Sequence, residues 1–303
     1  MNVQVAVPDQ GLVAQLTGTG ADFTVWTIGR PPPPAPFDLL VLPYMIAAAE
    51  LRGLPAGIAP VVQSQTLGYD GVAGNLPPGF VYCNAPDVHE ASTAELAVGM
   101  IIADRRGLPG FGAVQREHRW AHARRPGLAG SRVLLLGVGG VGEQLRIRLA
   151  PFEVDLVRVA RTARHDAHGP VHAITGLPAL LPTADVVVVA VPLTPGTRGL
   201  VSHDFLAAMR DGALLVNVAR GPVADTAALL AHTAQGRLHV ALDVTDPEPL
   251  PPEHPLWSAP NVLITPHVGG HTDAMAPRMR RVIRTQIERL AAGRPPANIV
   301  LET

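Results

Sequence analysis

From residue 132 onward the chain repeats one pattern: a short unbroken run of apolar residues, then a longer stretch with helical spacing. The runs are Val133 to Leu136, Val154 to Val159, Val186 to Val191, Leu214 to Val218, Leu238 to Leu242 and Val262 to Ile264. Strands that are apolar at nearly every position are covered on both faces, which predicts a doubly wound parallel sheet flanked by helices. Ahead of this segment, Val3 to Val7, Leu39 to Leu42, Val61 to Gln63 and Phe80 to Tyr82 are shorter β-like runs between turn-rich stretches, the pattern of a smaller α/β unit.

Two helices stand out. Between Glu90 and Arg105, Ala94, Leu96, Ala97, Met100, Ile101 and Ile102 recur at helical spacing, with Ser92 and Thr93 placed as caps, which predicts a long linking helix. After Thr272, Met275, Met279, Val282, Ile283, Ile287 and Leu290 mark one face of an amphipathic helix that stops near Gly293 and returns to the first unit. Arg30 to Pro36 holds five prolines and reads as a stiff surface connector, with a proline-recognition ligand as the sharper alternative. Arg116, His118, Arg119, His122, Arg124 and Arg125 form a basic cluster, read as a solvated connector or subunit-contact arm, or as an anion site.

Composition narrows the chemistry. The 303 residues carry 24 basic and 25 acidic side chains, and 47% are hydrophobic, so partners held by bulk charge, nucleic acid among them, are not expected. Every basic residue is Arg; no Lys occurs. That removes Schiff-base catalysis and a lysine-bearing phosphate loop. The single cysteine, Cys83, forbids an internal disulfide and a thiolate zinc cluster, so no metal site is expected. No window approaches the roughly 20 apolar residues of a membrane span. The N-terminus has no basic leader, and the expected location is cytoplasmic.

Gly137-Val138-Gly139-Gly140-Val141-Gly142 follows the run Val133 to Leu136 and opens a helical stretch. Strand, glycine loop and helix in that order make a Rossmann phosphate site, because the glycines allow a tight turn and the helix N-terminus faces the pyrophosphate. An acid that would bind the ribose 2′-hydroxyl is expected about 20 residues on. The second strand ends instead in Ala160-Arg161-Thr162-Ala163-Arg164; Asp155 lies at its wrong end and Asp166 lies beyond it. Arg161 and Arg164 in place of a carboxylate suit a 2′-phosphate, which predicts NADPH, with NADH as the alternative cofactor.

In open α/β sheets ligands bind beyond the carboxyl ends of the strands. Three polar residues occupy such positions: Arg220 after Leu214 to Val218, Glu248 after Leu238 to Leu242, and His267 after Val262 to Ile264. Together they fit reduction of a 2-oxo acid. Arg220 would pair with the carboxylate and polarise the carbonyl, His267 would deliver the proton, and Glu248 would orient the imidazole. Taken singly, each also reads as a loop or surface residue.

With these motifs the sequence resembles the D-isomer-specific 2-hydroxyacid dehydrogenase family. The resemblance runs from about Asn84 to Thr272 and is weaker over the first 80 residues. It rests on the glycine loop, Val191-Pro192-Leu193-Thr194-Pro195-Gly196-Thr197, Asn217-Val218-Ala219-Arg220-Gly221, Ala241-Leu242-Asp243-Val244 through Glu248-Pro249, His254-Pro255-Leu256-Trp257 and Thr265-Pro266-His267-Val268-Gly269-Gly270. The resemblance implies Arg220, Glu248 and His267 as the catalytic trio and Asp243 against the nicotinamide carboxamide. Cofactor contacts are implied from Gly137, Gly139, Gly140, Val141, Gly142, Thr197, Val218, Ala219, Gly269 and Gly270. A flavodoxin-like substrate domain is implied from both chain ends, residues 1–98 and 273–303, around a dinucleotide domain at 99–272. Its turn Thr66-Leu67-Gly68-Tyr69-Asp70 would bind the carboxylate through backbone N–H groups, chiefly of Leu67 and Gly68. A homodimer and a small 2-oxo or 2-hydroxy acid of the glyoxylate or hydroxypyruvate type are implied as partners.

Departures sharpen this. Ala160 stands where the family commonly has an acid, and His271 follows Gly-Gly where a small residue is usual. Leu67 and Tyr69 could narrow the substrate pocket toward small acids, and Tyr44 reads either as a pocket-lining residue or as a core or surface tyrosine. The missing Lys excludes short-chain dehydrogenases, aldo-keto reductases and amino-acid dehydrogenases. Pro266 stands where similar formate enzymes carry Gln. The second reading is a non-enzymatic member of the fold that senses dinucleotide and binds a partner protein, like the related transcriptional corepressors.

Overall fold

In a computed structural model, described for residues 2–31, 33 and 35–303, the chain divides into two compact units: residues 1–89 with 272–303, and residues 90–271. The connector's Pro32 and Pro34 lie outside the described residues, as does Met1.

In the first unit, β1 (Val3–Val7), α1 (Gln10–Gln15), β2 (Ala21–Val25), β3 (Leu39–Val41), β4 (Val61–Gln63) and β5 (Val81–Cys83) are joined by the chain's last elements, α8 (Met275–Ala291) and β14 (Ile299–Glu302). The sheet order is β14-β5-β4-β3-β1-β2, with β14 antiparallel and the others parallel. The parallel strands thus follow the flavodoxin-like order 2-1-3-4-5. β2 escapes the sequence pattern because only alternate positions are covered, leaving Asp22 and Thr24 exposed. α8 buries Met279, Ile283 and Ile287 against β1, β3 and β4, so the amphipathic face read from the sequence is its core face. Beneath it Gln286 donates to Gln63 Oε1 at 2.7 Å and to the Ala297 carbonyl at 2.8 Å, which satisfies a buried polar pair. Burial pushes the Cys83 thiol up to about 11 against an opposing hydrogen bond from Gln286, as suits an inert core residue.

The second unit begins with α2 (Glu90–Arg105) and α3 (Leu108–Arg116). The domain boundary expected at 98 falls inside α2, which belongs whole to this unit. Ser92 and Thr93 are buried within α2 rather than capping it. The elements that follow are β6 (Arg132–Leu136), α4 (Gly140–Leu149), β7 (Asp155–Ala160), β8 (Arg164–Asp166), β9 (Gly169–Ala173), α5 (Leu177–Leu180), β10 (Val186–Val189), α6 (His203–Ala208), β11 (Leu214–Asn217), α7 (Thr226–Ala234), β12 (His239–Leu242) and β13 (Val262–Ile264).

Their order is β13-β12-β11-β10-β6-β7-β9-β8, parallel except for the β8–β9 hairpin. Counting parallel strands only, this is the 3-2-1-4-5-6 dinucleotide-binding order with one strand added. Val186 to Val189 and Leu214 to Leu215 are at 0% exposure, as strands covered on both faces must be. Because β6, β10, β11, β12 and β13 run parallel, the loops after them emerge at one edge of the sheet.

Candidate active site

The glycine loop leaves β6 at that edge. Gly137 takes φ +106°, and a Cβ there would stand 2.3 Å from the Ala190 carbonyl oxygen. A Cβ on Gly142 would stand 2.1 Å from the Gly137 carbonyl oxygen. These two positions admit only glycine, for a turn and for helix–strand packing. Gly139, in contrast, would meet nothing within 4 Å. It opens the N-terminus of the ten-residue α4, with Gly140, Val141 and Gly142 in the first turn. A backbone with open space ahead of a helix N-terminus fits a pyrophosphate.

The loop after β11 carries Arg220. Asn217, fully buried, donates from Nδ2 to the Arg220 carbonyl at 3.1 Å and accepts the Ala219 N–H at 3.0 Å, fixing the turn that also holds Val218 and Ala219. Arg220 Nη1 donates to the Ala219 carbonyl at 2.7 Å.

The loop after β13 is organised by Asp243, at the end of β12. Its carboxylate accepts from the Thr265 hydroxyl at 2.6 Å and from the N–H groups of Val268 and Gly269, each at 2.9 Å. Its carbonyl accepts the His267 N–H at 2.8 Å. These bonds hold His267 at φ +53°, a left-handed conformation uncommon outside glycine. His267 Nδ1 meets Glu248 Oε1 at 2.5 Å. With Nδ1 so engaged, Nε2 is the ring atom left to exchange a proton with a substrate. Burial pushes the Glu248 carboxyl up, but the His267 hydrogen bond and charge, the Thr245 N–H and Arg220 outweigh it and hold it below the ordinary carboxylate range. Arg220, Glu248 and His267 are therefore brought together electrostatically. Asn217 and Thr265, whose side chains fix these two loops, open the stretches that hold Arg220 and His267, but their hydrogen bonds are not legible from the sequence.

Other expected positions fall as follows. Arg161 and Arg164 are exposed and, among the described residues, form no ion pair. The Thr197 hydroxyl donates to the Pro192 carbonyl at 2.6 Å and accepts the Thr194 N–H at 2.8 Å, closing the turn after β10. Gly270 lies half-buried beside Gly269, and His271 is exposed.

In the first unit, the turn at Leu67 and Gly68 has its carbonyls engaged: Thr66 accepts from Ala85 N–H, Leu67 from Asn84 Nδ2 and Gly68 from Thr66 Oγ1, each at 2.9 Å. Among the described residues no acceptor pairs with the N–H of Leu67 or Gly68. Tyr44 stacks on His89, ring centroids 5.5 Å apart, and His89 Nε2 lies 2.6 Å from the Gln65 carbonyl, next to that turn.

The sequence profile of the D-isomer specific 2-hydroxyacid dehydrogenase NAD-binding domain matches residues 98–269. A glyoxylate reductase of Thermofilum pendens is 33% identical over 251 residues, covering 78% of this chain and 74% of that protein. The glyoxylate reductase/hydroxypyruvate reductase of Homo sapiens is 31% identical over 286 residues, 88% of this chain and 87% of that one. The crystal structure of a D-isomer specific 2-hydroxyacid dehydrogenase from Xanthobacter autotrophicus Py2, in complex with NADPH and MES, superposes with a TM-score of 0.80 at 28% identity, covering 99% of this chain and 98% of that one.

Proposed function

This chain belongs to the D-isomer-specific 2-hydroxyacid dehydrogenase family of NAD(P)-dependent oxidoreductases, and from that premise we propose that it reduces a small 2-oxo acid of the glyoxylate or hydroxypyruvate type to the D-2-hydroxy acid, with NADPH as cofactor and His267 as proton donor. The observation that carries the reading is the 2.5 Å contact of His267 Nδ1 with a Glu248 held ionised beside Arg220.

When bound, the reduced nicotinamide supplies a hydride to the substrate's C2. Gly139 and the α4 N-terminus would hold the pyrophosphate, with Thr197, Val218, Ala219, Gly269 and Gly270 along the rest of the dinucleotide. Arg220 offers its guanidinium fork to the substrate carboxylate and polarises the C2 carbonyl. In the first unit, the N–H groups of Leu67 and Gly68 are donors of the kind a carboxylate takes. As negative charge develops on the C2 oxygen, His267 Nε2 gives up its proton, and Glu248 stabilises the imidazolium beforehand. The balance is one hydride and one proton per carbonyl. Asp243 holds the His267 loop and keeps an acceptor site on Oδ2 for a carboxamide N–H.

NADPH rather than NADH is proposed because Ala160 ends β7 without a carboxylate and two exposed guanidiniums follow it. A homodimer is proposed from α3, which buries none of its residues within the chain, and from Trp120 beyond it, 96% exposed.

The test is a panel of 2-oxo acids assayed with each cofactor. The expected result is turnover of glyoxylate and hydroxypyruvate with higher kcat/KM for NADPH. Cofactor binding without turnover of any 2-oxo acid would favour the sensor reading instead.

A further inference from the structure

We infer that Arg158 is a specificity-determining residue: by engaging the carboxylate of Asp166 it leaves Arg164 available to the 2′-phosphate of the cofactor. The inference rests on the reading of Arg161 and Arg164 as phosphate ligands.

The register places the three side chains together. Val171 of β9 pairs with Arg158 of β7 on one side and with Arg164 of β8 on the other. Cross-strand partners emerge on the same face of a sheet, so Arg158 and Arg164 share a face. Asp166 follows Arg164 by two residues along β8, which returns it to that face at about 6.6 Å. At this spacing Asp166 and Arg164 are natural ion-pair partners. They do not pair. Instead Arg158 reaches across β9 and gives Asp166 both ends of its fork, at 2.9 and 2.8 Å, with further bonds from Nη2 to the Gly169 and Pro170 carbonyls at 2.8 and 3.3 Å.

Burial makes this arrangement a commitment of the fold. Arg158 is 5% exposed, between the buried Val157 and Val159, where an apolar residue would pack without any need of a partner. A guanidinium at that depth requires a carboxylate, and Asp166 is the one it has. Asp166 also accepts the His168 N–H at 2.8 Å, so both its oxygens are engaged. The nearby acid of α4 is matched in the same way: Glu143 takes Nε and Nη2 of Arg146 at 2.8 and 2.6 Å. Among the described residues the turn after β7 is left with two guanidiniums outside any ion pair and no uncompensated carboxylate, the electrostatics a dianionic phosphate selects.

Released from Arg158, Asp166 would act twice against a 2′-phosphate, by pairing with Arg164 and by repelling the anion. The test measures binding of 2′,5′-ADP and 5′-AMP, which differ only in that phosphate, to the full chain by calorimetry. Wild type is expected to prefer 2′,5′-ADP. Arg158→Met should lower the preference about tenfold, the scale of one uncompensated charge near 10 Å at a partly buried site. Adding Asp166→Asn to Arg158→Met should restore it, and Asp166→Asn alone should keep it at or above wild type. A wild-type ratio in Arg158→Met, or a double variant as weak as Arg158→Met, would overturn the inference. If Arg158→Met does not fold, Asp166→Asn decides alone, and a fall in its preference would overturn it. Equal binding of both fragments by wild type would instead overturn the underlying reading of Arg161 and Arg164.

Discussion

Gly139 and Gly142 stand three residues apart in one loop and have opposite surroundings: a Cβ on Gly142 would press within 2.1 Å of a backbone carbonyl oxygen, whereas one on Gly139 would meet nothing within 4 Å. The first glycine is open where a ligand approaches, and the second is closed by the chain itself. Gly142→Ala is therefore expected to destabilise the fold by roughly 3 kcal/mol, the upper end for overpacking, and to lower Tm by about 5–10 °C. Gly139→Ala should leave Tm unchanged and weaken NADPH binding about tenfold or more. Differential scanning fluorimetry and cofactor titration of both variants check this, and a thermally damaged Gly139→Ala would contradict it.

Arg220→Lys keeps the charge and loses the fork. If Arg220 clamps the substrate carboxylate, KM for glyoxylate should rise roughly 10- to 100-fold, the value of one hydrogen bond to a charged group. Steady-state kinetics at saturating NADPH give the number. An unchanged KM would place the carboxylate elsewhere.

Glu248 is held below the ordinary carboxylate range, with its His267 bond and the Arg220 charge outweighing burial. Its stabilising pair with His267 is present above the ordinary glutamate value and lost only as pH falls through the lowered one. Initial rates of glyoxylate reduction should therefore show no acid limb between pH 7 and 5. A limb centred in that window, while the protein stays folded and saturated with cofactor, would contradict a Glu248 held below the ordinary range.

His232, buried in α7, accepts from Arg237 Nε at 3.2 Å through Nδ1. Burial first, then Arg237 and His203, push its pKa down. A histidine kept neutral by the fold contributes stability above the unfolded value of about 6.5 and loses it as pH falls below that value toward the lowered one. Tm should decline between pH 7 and 5, and His232→Gln, which can still accept from Arg237, should show a shallower decline. An equal slope in both proteins would remove His232 as a cause.

How much of this was legible depended on whether a feature is local in the chain. Runs such as Val186 to Val189 announce a sheet covered on both faces, and the glycine loop fixes where its first strand ends. Once the strands are parallel, Arg220, Glu248 and His267 must emerge at one edge, so their meeting is read from strand ends alone. β2, β8 and β14 lie at sheet edges, where one covered face or a short hairpin leaves little apolar signal. The pair of Arg158 with Asp166 is invisible in the sequence because it crosses a strand that only the hairpin register puts between them. Thr265 stands in a legible stretch, but the role of its hydroxyl is silent, since it acts through Asp243, 22 residues away.

The most direct test of the account is the turnover of glyoxylate with NADPH by wild type and His267→Ala, measured alongside NADPH affinity. The account predicts a loss of roughly 10²- to 10⁴-fold in kcat, as for a missing general acid, with NADPH affinity retained. Near-normal turnover in His267→Ala would contradict it.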